Sequence, residues 1–208
     1  MKYDLDVHVL SMDYTNKVWF AECLDSIYVA MESTSLLVSL HILPGVVGHL
    51  GQARKNGYAL GEADYVTSVD DDDFIDANAF HLLEQGISQR VEAITTGERQ
   101  VIVESGAVFD TPKVQHHLAV YRRDVLKRSD YSEFKYHPDQ RLLSQVKPLH
   151  VPTCAYNCRI YNDSGSRIQR RANSDAALKE MNRVKNTPLF FAEAHTPAQI
   201  ALMLEKEI

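Results

Sequence analysis

The run from Tyr65 to Val69 ends in four consecutive carboxylates, Asp70 to Asp73, and helical sequence follows. A buried strand that stops in four acids constrains the fold more than any other feature of this chain. In an open α/β sheet, ligands collect beyond the carboxyl ends of the strands. Carboxylates gathered there repel one another unless a cation joins them. Hard oxygen ligands suit Mg²⁺ or Mn²⁺, and a divalent ion carrying a phosphate meets that need. A solvated acidic turn is the other reading of the same four residues.

The flanking sequence alternates between strand and helix patterns. Leu5 to Leu10 reads as a first buried strand, and from Lys17 to Met31 apolar residues recur at helical spacing. Leu36 to Leu43 reads as a second strand, stopped by Pro44-Gly45, and a helix is expected over Gly48 to Leu60. After the strand Tyr65–Val69, a helix is expected from Asp76, as cap, to Glu84. The second half is richer in strands. Val91 to Thr96 and Gln100 to Glu104 read as a hairpin-like pair around Gly97, and Leu118 to Arg122 as a strand leading into a helical turn. Asp139 to Gln145 reads as helical and Tyr156 to Tyr161 as extended. Two helices, Ser174 to Val184 and Ala198 to Lys206, are expected to close the chain. The pattern implies an α/β fold, a mixed central sheet flanked by helices, in one domain over residues 1–208.

The net charge of −6 gives no broad attraction for a nucleic-acid backbone or an acidic membrane face. No apolar run is long enough to span a bilayer, and the amino terminus has no signal-peptide core, so the cytoplasm is the expected compartment. Cys23, Cys154 and Cys158 are expected as reduced thiols, with Cys154-x-x-x-Cys158 a weak zinc-pair alternative.

Three further segments surround the acidic run: Ala53-Arg54-Lys55-Asn56-Gly57, then Gly61-Glu62-Ala63-Asp64-Tyr65, and earlier Tyr14 with Cys23-Leu24-Asp25-Ser26-Ile27. Together with Asp70 to Asp73 they resemble the GT-A glycosyltransferases of the family 2 type. Those enzymes carry an Ala-Arg-Asn-x-Gly helix, a Gly-Glu-Tyr turn and a strand ending in Asp-x-Asp-Asp. The resemblance covers roughly the first 80 residues and is faint beyond them. It implies a GT-A-like nucleotide-diphospho-sugar transferase fold, with residues 1–90 as the nucleotide-sugar-binding half and 91–208 as the acceptor-binding half.

The resemblance also implies roles. Asp72 and Asp70 would hold Mn²⁺ or Mg²⁺ on the donor diphosphate, Asp70 facing the ribose as well. Arg54 would contact the phosphates or hold the acidic loop, and Tyr14 would stack on the base. Asp71 and Asp73 are expected as turn or supporting residues. Asp139, in Phe134-Lys-Tyr-His-Pro-Asp139, matches the position of the family's catalytic base, with Pro138 where the family has Glu. It reads equally as a helix cap, and His137 is a rival base. His116 and His117 begin a strand, so alternation would send them to opposite faces, one toward the acceptor. The family's late metal-binding His falls at Tyr161 here, leaving Asp163 or His150 as substitutes, and the basic loop Arg167 to Arg171 could close over the diphosphate. The second strand lacks the family's Asp-Asp-Gly-Ser ending, so Asp13 or His41 are candidates for reading the base.

The expected activity is metal-dependent transfer of a sugar, hexosyltransferase-like, from a UDP-sugar to a hydroxyl acceptor with inversion. A glycan, a small sugar or a modified nucleotide would serve as acceptor. Two alternatives stay open: a sugar-phosphate nucleotidyltransferase, and a noncatalytic domain that binds nucleotide sugars.

Overall fold

The computed structural model describes residues 2–12 and 15–160. Tyr14, Asp13 and everything from Tyr161 onward, where the basic segment and two closing helices are expected from sequence, lie outside the described residues.

A single eight-stranded sheet organises the fold. Strands β1 (Leu5–Ser11), β2 (Val38–Pro44) and β3 (Tyr65–Asp70) run parallel, with β1 in the middle. Then come β4 (Phe74–Ile75), β5 (Ala93–Ile102), β6 (Val108–Thr111), β7 (Val120–Arg122) and β8 (Leu149–Ile160). Strand order is β2-β1-β3-β7-β5-β8-β4, with β6 added to β5. Because β7 pairs antiparallel to both β3 and β5, while β8 runs parallel to β5, the sheet is mixed.

Helix α1 (Lys17–Glu32) starts where the Asn16 side chain accepts from the backbone N–H groups of Val18 and Trp19, an N-cap that satisfies two orphan donors. Its buried face, Cys23, Ile27 and Ala30, packs on Leu5, Val7 and Val9 of β1. Helix α2 (Leu50–Tyr58) covers the other face, where Gly57 lies against the His8 side chain and Tyr58 joins Val66, Tyr121 and Leu142 in a second cluster. Both faces of β1 are therefore buried, as a central parallel strand requires. The polar residues on its α2 side are paired: Asp6, fully buried, accepts from Ala63 N–H (2.9 Å), His41 Nε2 (3.1 Å) and Arg123 Nη2 (2.5 Å). Short helices α3 (Glu84–Ser88), α4 (Arg123–Lys127) and α5 (Pro138–Leu143) complete the set.

Three expectations are corrected. The segment after Asp73 is the short strand β4, followed by turns, a 3₁₀ turn at His81–Leu83 and α3, not a helix from Asp76 to Glu84. The Asp76 carboxylate caps nothing; it accepts from Arg99 Nη1 (2.6 Å) and Asn157 Nδ2 (2.9 Å). Within Val91 to Glu104 there is no hairpin around Gly97 but one continuous strand, β5 (Ala93–Ile102), whose hairpin partner is β6. Gly97 instead marks the register shift against β8, where a Cβ would meet Pro112 Cα at 2.9 Å and Cys154 Sγ at 3.0 Å.

Candidate active site

The acidic run sits at the carboxyl end of β3, and Arg54 organises it. Arg54 rises from α2, is 3% exposed, and donates from Nη2 to Asp70 Oδ1 at 2.6 Å. Its Nε lies 3.1 Å from both carboxylate oxygens of Asp139, which is 6% exposed near the start of α5. One guanidinium thus joins carboxylates from β3 and α5, 16 and 85 residues away in sequence. Burial opposes the charge on Arg54, but Asp139 and Asp70 outweigh it and hold the guanidinium well above its ordinary pKa. Burial likewise works against the charge on Asp70, while Arg54 and His117 more than compensate, and its pKa is lowered. Nη1 of Arg54 is buried and has no hydrogen-bond partner among the described residues.

The four acids occupy different environments. Asp71 turns back to the end of β1, accepting from Thr15 Oγ1 and from Met12 N–H at 3.3 Å. Asp73 points inward, accepting from Tyr156 Oη and Arg159 N–H, both at 2.7 Å. Burial, reinforced by Asp72 and Asp70, pushes its pKa up to about 8. Asp70 and Asp72 keep part of their surface in solvent, the Asp70 side chain 36% exposed. The backbone is held from behind by Arg159, whose Nη1 donates to the Asp72 carbonyl. The Arg159 guanidinium stands 4.7 Å from the Phe74 ring centroid and 5.5 Å from that of Trp19, and it pairs with Glu22. Sequence reasoning gave Arg159 no role; its signal is a lone arginine at the end of a strand beside an acidic loop.

The histidines depart from expectation. His116 and His117 lie ahead of β7, not within it, and their rings are 4.0 Å apart, so strand alternation does not separate them. His117 Nδ1 meets Glu98 Oε2 at 2.5 Å; burial works against its charge, yet Glu98 and the nearby aspartates raise its pKa to about 10. His137 precedes α5 in a left-handed conformation (φ 52°). His150 is not available to a metal at the acidic loop, since Thr95 Oγ1 (3.0 Å) and the Pro112 carbonyl (2.7 Å) take its two ring nitrogens. His41 sits mid-strand, stacked on His8 at 4.9 Å and bonded to Asp6, away from the strand end where a base would be read. Cys154 and Cys158 stand four residues apart on extended β8, ~13 Å at strand rise, too far to share one zinc.

Parallel strands at one side of a mixed sheet, helices on both faces and acids at a strand end make an α/β fold of GT-A-like architecture. Among solved structures, the chain is similar to Staphylococcus aureus TarS 1-349 in complex with UDP-GlcNAc, with a TM-score of 0.56 and 17% identity over 79% of this chain and 60% of that one. Against TarS 1-349 in complex with UDP the TM-score is 0.55 at 16% identity, covering 77% and 61% of the two chains. This chain therefore spans about 60% of the length of those structures. No family model matches the sequence, and no curated protein matches it. At such identity the likeness establishes the fold. Among the described residues, no helix is long and apolar enough to cross a membrane.

Proposed function

We propose that the chain is a metal-dependent glycosyltransferase that moves a sugar from a UDP-sugar to a hydroxyl acceptor, with inversion. The observation that carries this reading is the Arg54 bridge, in which one buried guanidinium joins the acidic strand end to the carboxylate at the start of α5. The solved complexes of similar fold contain UDP and UDP-GlcNAc, which favours a uridine nucleotide as donor.

Asp70 and Asp72 fit Mn²⁺ or Mg²⁺, being hard oxygen donors at the end of β3 that keep solvent-accessible surface. Bound there, the ion would neutralise the departing diphosphate and make it a better leaving group. Arg54 sets the spacing of the two carboxylate groups and supplies fixed positive charge beside the phosphates. Asp139 accepts the proton of the acceptor hydroxyl as that oxygen attacks the anomeric carbon, and the sugar–phosphate bond breaks on the opposite face. In this reading Tyr14 stacks on the base, residues 1–90 bind the donor, and residues 91–208 bind the acceptor.

A second reading has support of its own. Both oxygens of Asp139 lie at 3.1 Å from Arg54 Nε, as they would if the carboxylate served only to neutralise a buried cation. The chain would then bind nucleotide sugars without turning them over. Donor hydrolysis and transfer with Mn²⁺, compared between the native protein and Asp139→Asn, separate the two. The catalytic reading expects a ~10²–10⁴-fold loss of turnover with donor affinity kept within a few-fold. Turnover unchanged in Asp139→Asn contradicts the base assignment; donor binding with no turnover in the native protein supports the binding domain. Release of pyrophosphate from a nucleoside triphosphate and a sugar phosphate would identify a nucleotidyltransferase instead.

A further inference from the structure

We propose that Glu98, His117 and Cys158 form a second metal site, suited to a borderline-soft divalent cation such as Zn²⁺ and separate from the oxygen donors Asp70 and Asp72. One ligand atom from each residue lies within 4.8 Å of the others. They come from three places: Glu98 from β5, Cys158 from the adjacent β8, and His117 from the turn before β7. Carboxylate oxygen, imidazole nitrogen and thiolate sulfur are all donors that Zn²⁺ takes, and three protein ligands leave a fourth tetrahedral position open. Thiolate and imidazole select against Mg²⁺ and Mn²⁺, which prefer oxygen.

One further observation points to a ligand. Gln100, 5% exposed and paired in register with Cys158, places Nε2 at 3.5 Å from Glu98 Oε1, while its own buried Oε1 has no hydrogen-bond partner among the described residues. An amide oxygen beside the cluster is a candidate for the open position. Ligation takes His117 as the neutral imidazole and Cys158 as the thiolate, so metal binding releases protons. The metal replaces the hydrogen bond between His117 Nδ1 and Glu98 Oε2. That contact must open from 2.5 Å to ~3.3 Å, the edge of a tetrahedron with zinc–ligand bonds of normal length. The His117 side chain, 19% exposed, has the solvent side on which to move. Its ring stacks on Tyr156 at 4.9 Å, and Tyr156 bonds Asp73, so the pinned histidine would stiffen the floor of the acidic loop.

The test titrates metal-free protein with Co²⁺. Expected are one equivalent bound with a thiolate-to-cobalt charge-transfer band, displacement by Zn²⁺, and proton release on Zn²⁺ binding, read by calorimetry in buffers of different ionisation enthalpy. The band is expected to vanish in Cys158→Ala and to persist in Cys154→Ala. It should also persist in Asp72→Ala, which removes the oxygen site and so separates this proposal from the donor reading. On the native protein, Zn²⁺ should protect Cys158 from alkylation, located by mass spectrometry, which needs no variant to fold. No charge-transfer band, a band that survives Cys158→Ala or is lost in Asp72→Ala, or alkylation of Cys158 unaffected by Zn²⁺ overturns it.

Discussion

A guanidinium at 3% exposure is costly to bury unless carboxylates stand beside it, and Arg54 has two. Removing it leaves Asp139 without its paired cation and Asp70 with only the charge of His117 nearby. Arg54→Ala is expected to lower stability by about 3–5 kcal/mol in urea unfolding. Arg54→Lys should lose less, but a point charge cannot serve both partners as the planar fork does. A second titratable group lies on the α2 face of the sheet. Burial lowers the His8 pKa from 6.5 to about 4, so the ring is neutral in the fold. A histidine lowered on folding contributes stability that is present above its unfolded pKa and lost as pH falls. The window runs from 6.5 down to about 4. The stability difference between the native protein and His8→Gln should therefore fall by about 3 kcal/mol across that window, read from unfolding curves at each pH. Of the residues singled out in sequence, Arg54 was legible because it stands in a helix motif; Asp139 was legible only as a carboxylate at a helix start. That the two touch across 85 residues could not be read from either segment.

Elements place these side chains, and glycines let the elements approach. A Cβ at Gly51 would lie 2.3 Å from the Phe134 carbonyl and within 3 Å of those of Tyr131 and Ser132, all backbone atoms. Gly51→Ala should push α2 away from the segment leading into α5, shifting Arg54 relative to Asp139. The expected result is a loss of about 1–3 kcal/mol in unfolding and a drop in turnover disproportionate to it. The parallel half of the sheet was legible because buried strands alternate with one strongly periodic helix: β1, α1, β2, α2 and β3 fall within a few residues of expectation. The second half was not. Gly97 reads locally as a turn, whereas the fold uses it for the close approach of Pro112 and Cys154. The run after Asp73 reads as helix, whereas Phe74 and Ile75 find hydrogen-bond partners in β8, more than 80 residues away. Long-range pairing overrode local propensity in both places.

At the scale of the whole molecule, β7 welds the parallel strands to the later ones, so the acidic loop is backed by Tyr156 and Arg159 from the far side of the sheet. A diphosphate and a cation bound at the end of β3 should stabilise the entire fold through linkage, by about 2.7 kcal/mol at a ligand concentration 100-fold above Kd. The central claim is that Asp70 and Asp72 grip a cation which in turn holds a nucleoside diphosphate. The measurement is thermal unfolding with UDP, GDP and CDP, each with and without Mn²⁺, for the native protein and Asp72→Ala. UDP is expected to raise the melting temperature only when Mn²⁺ is present, and Asp72→Ala to abolish that rise. An equal rise without the metal, a rise that survives Asp72→Ala, or no rise with any nucleotide would contradict the claim.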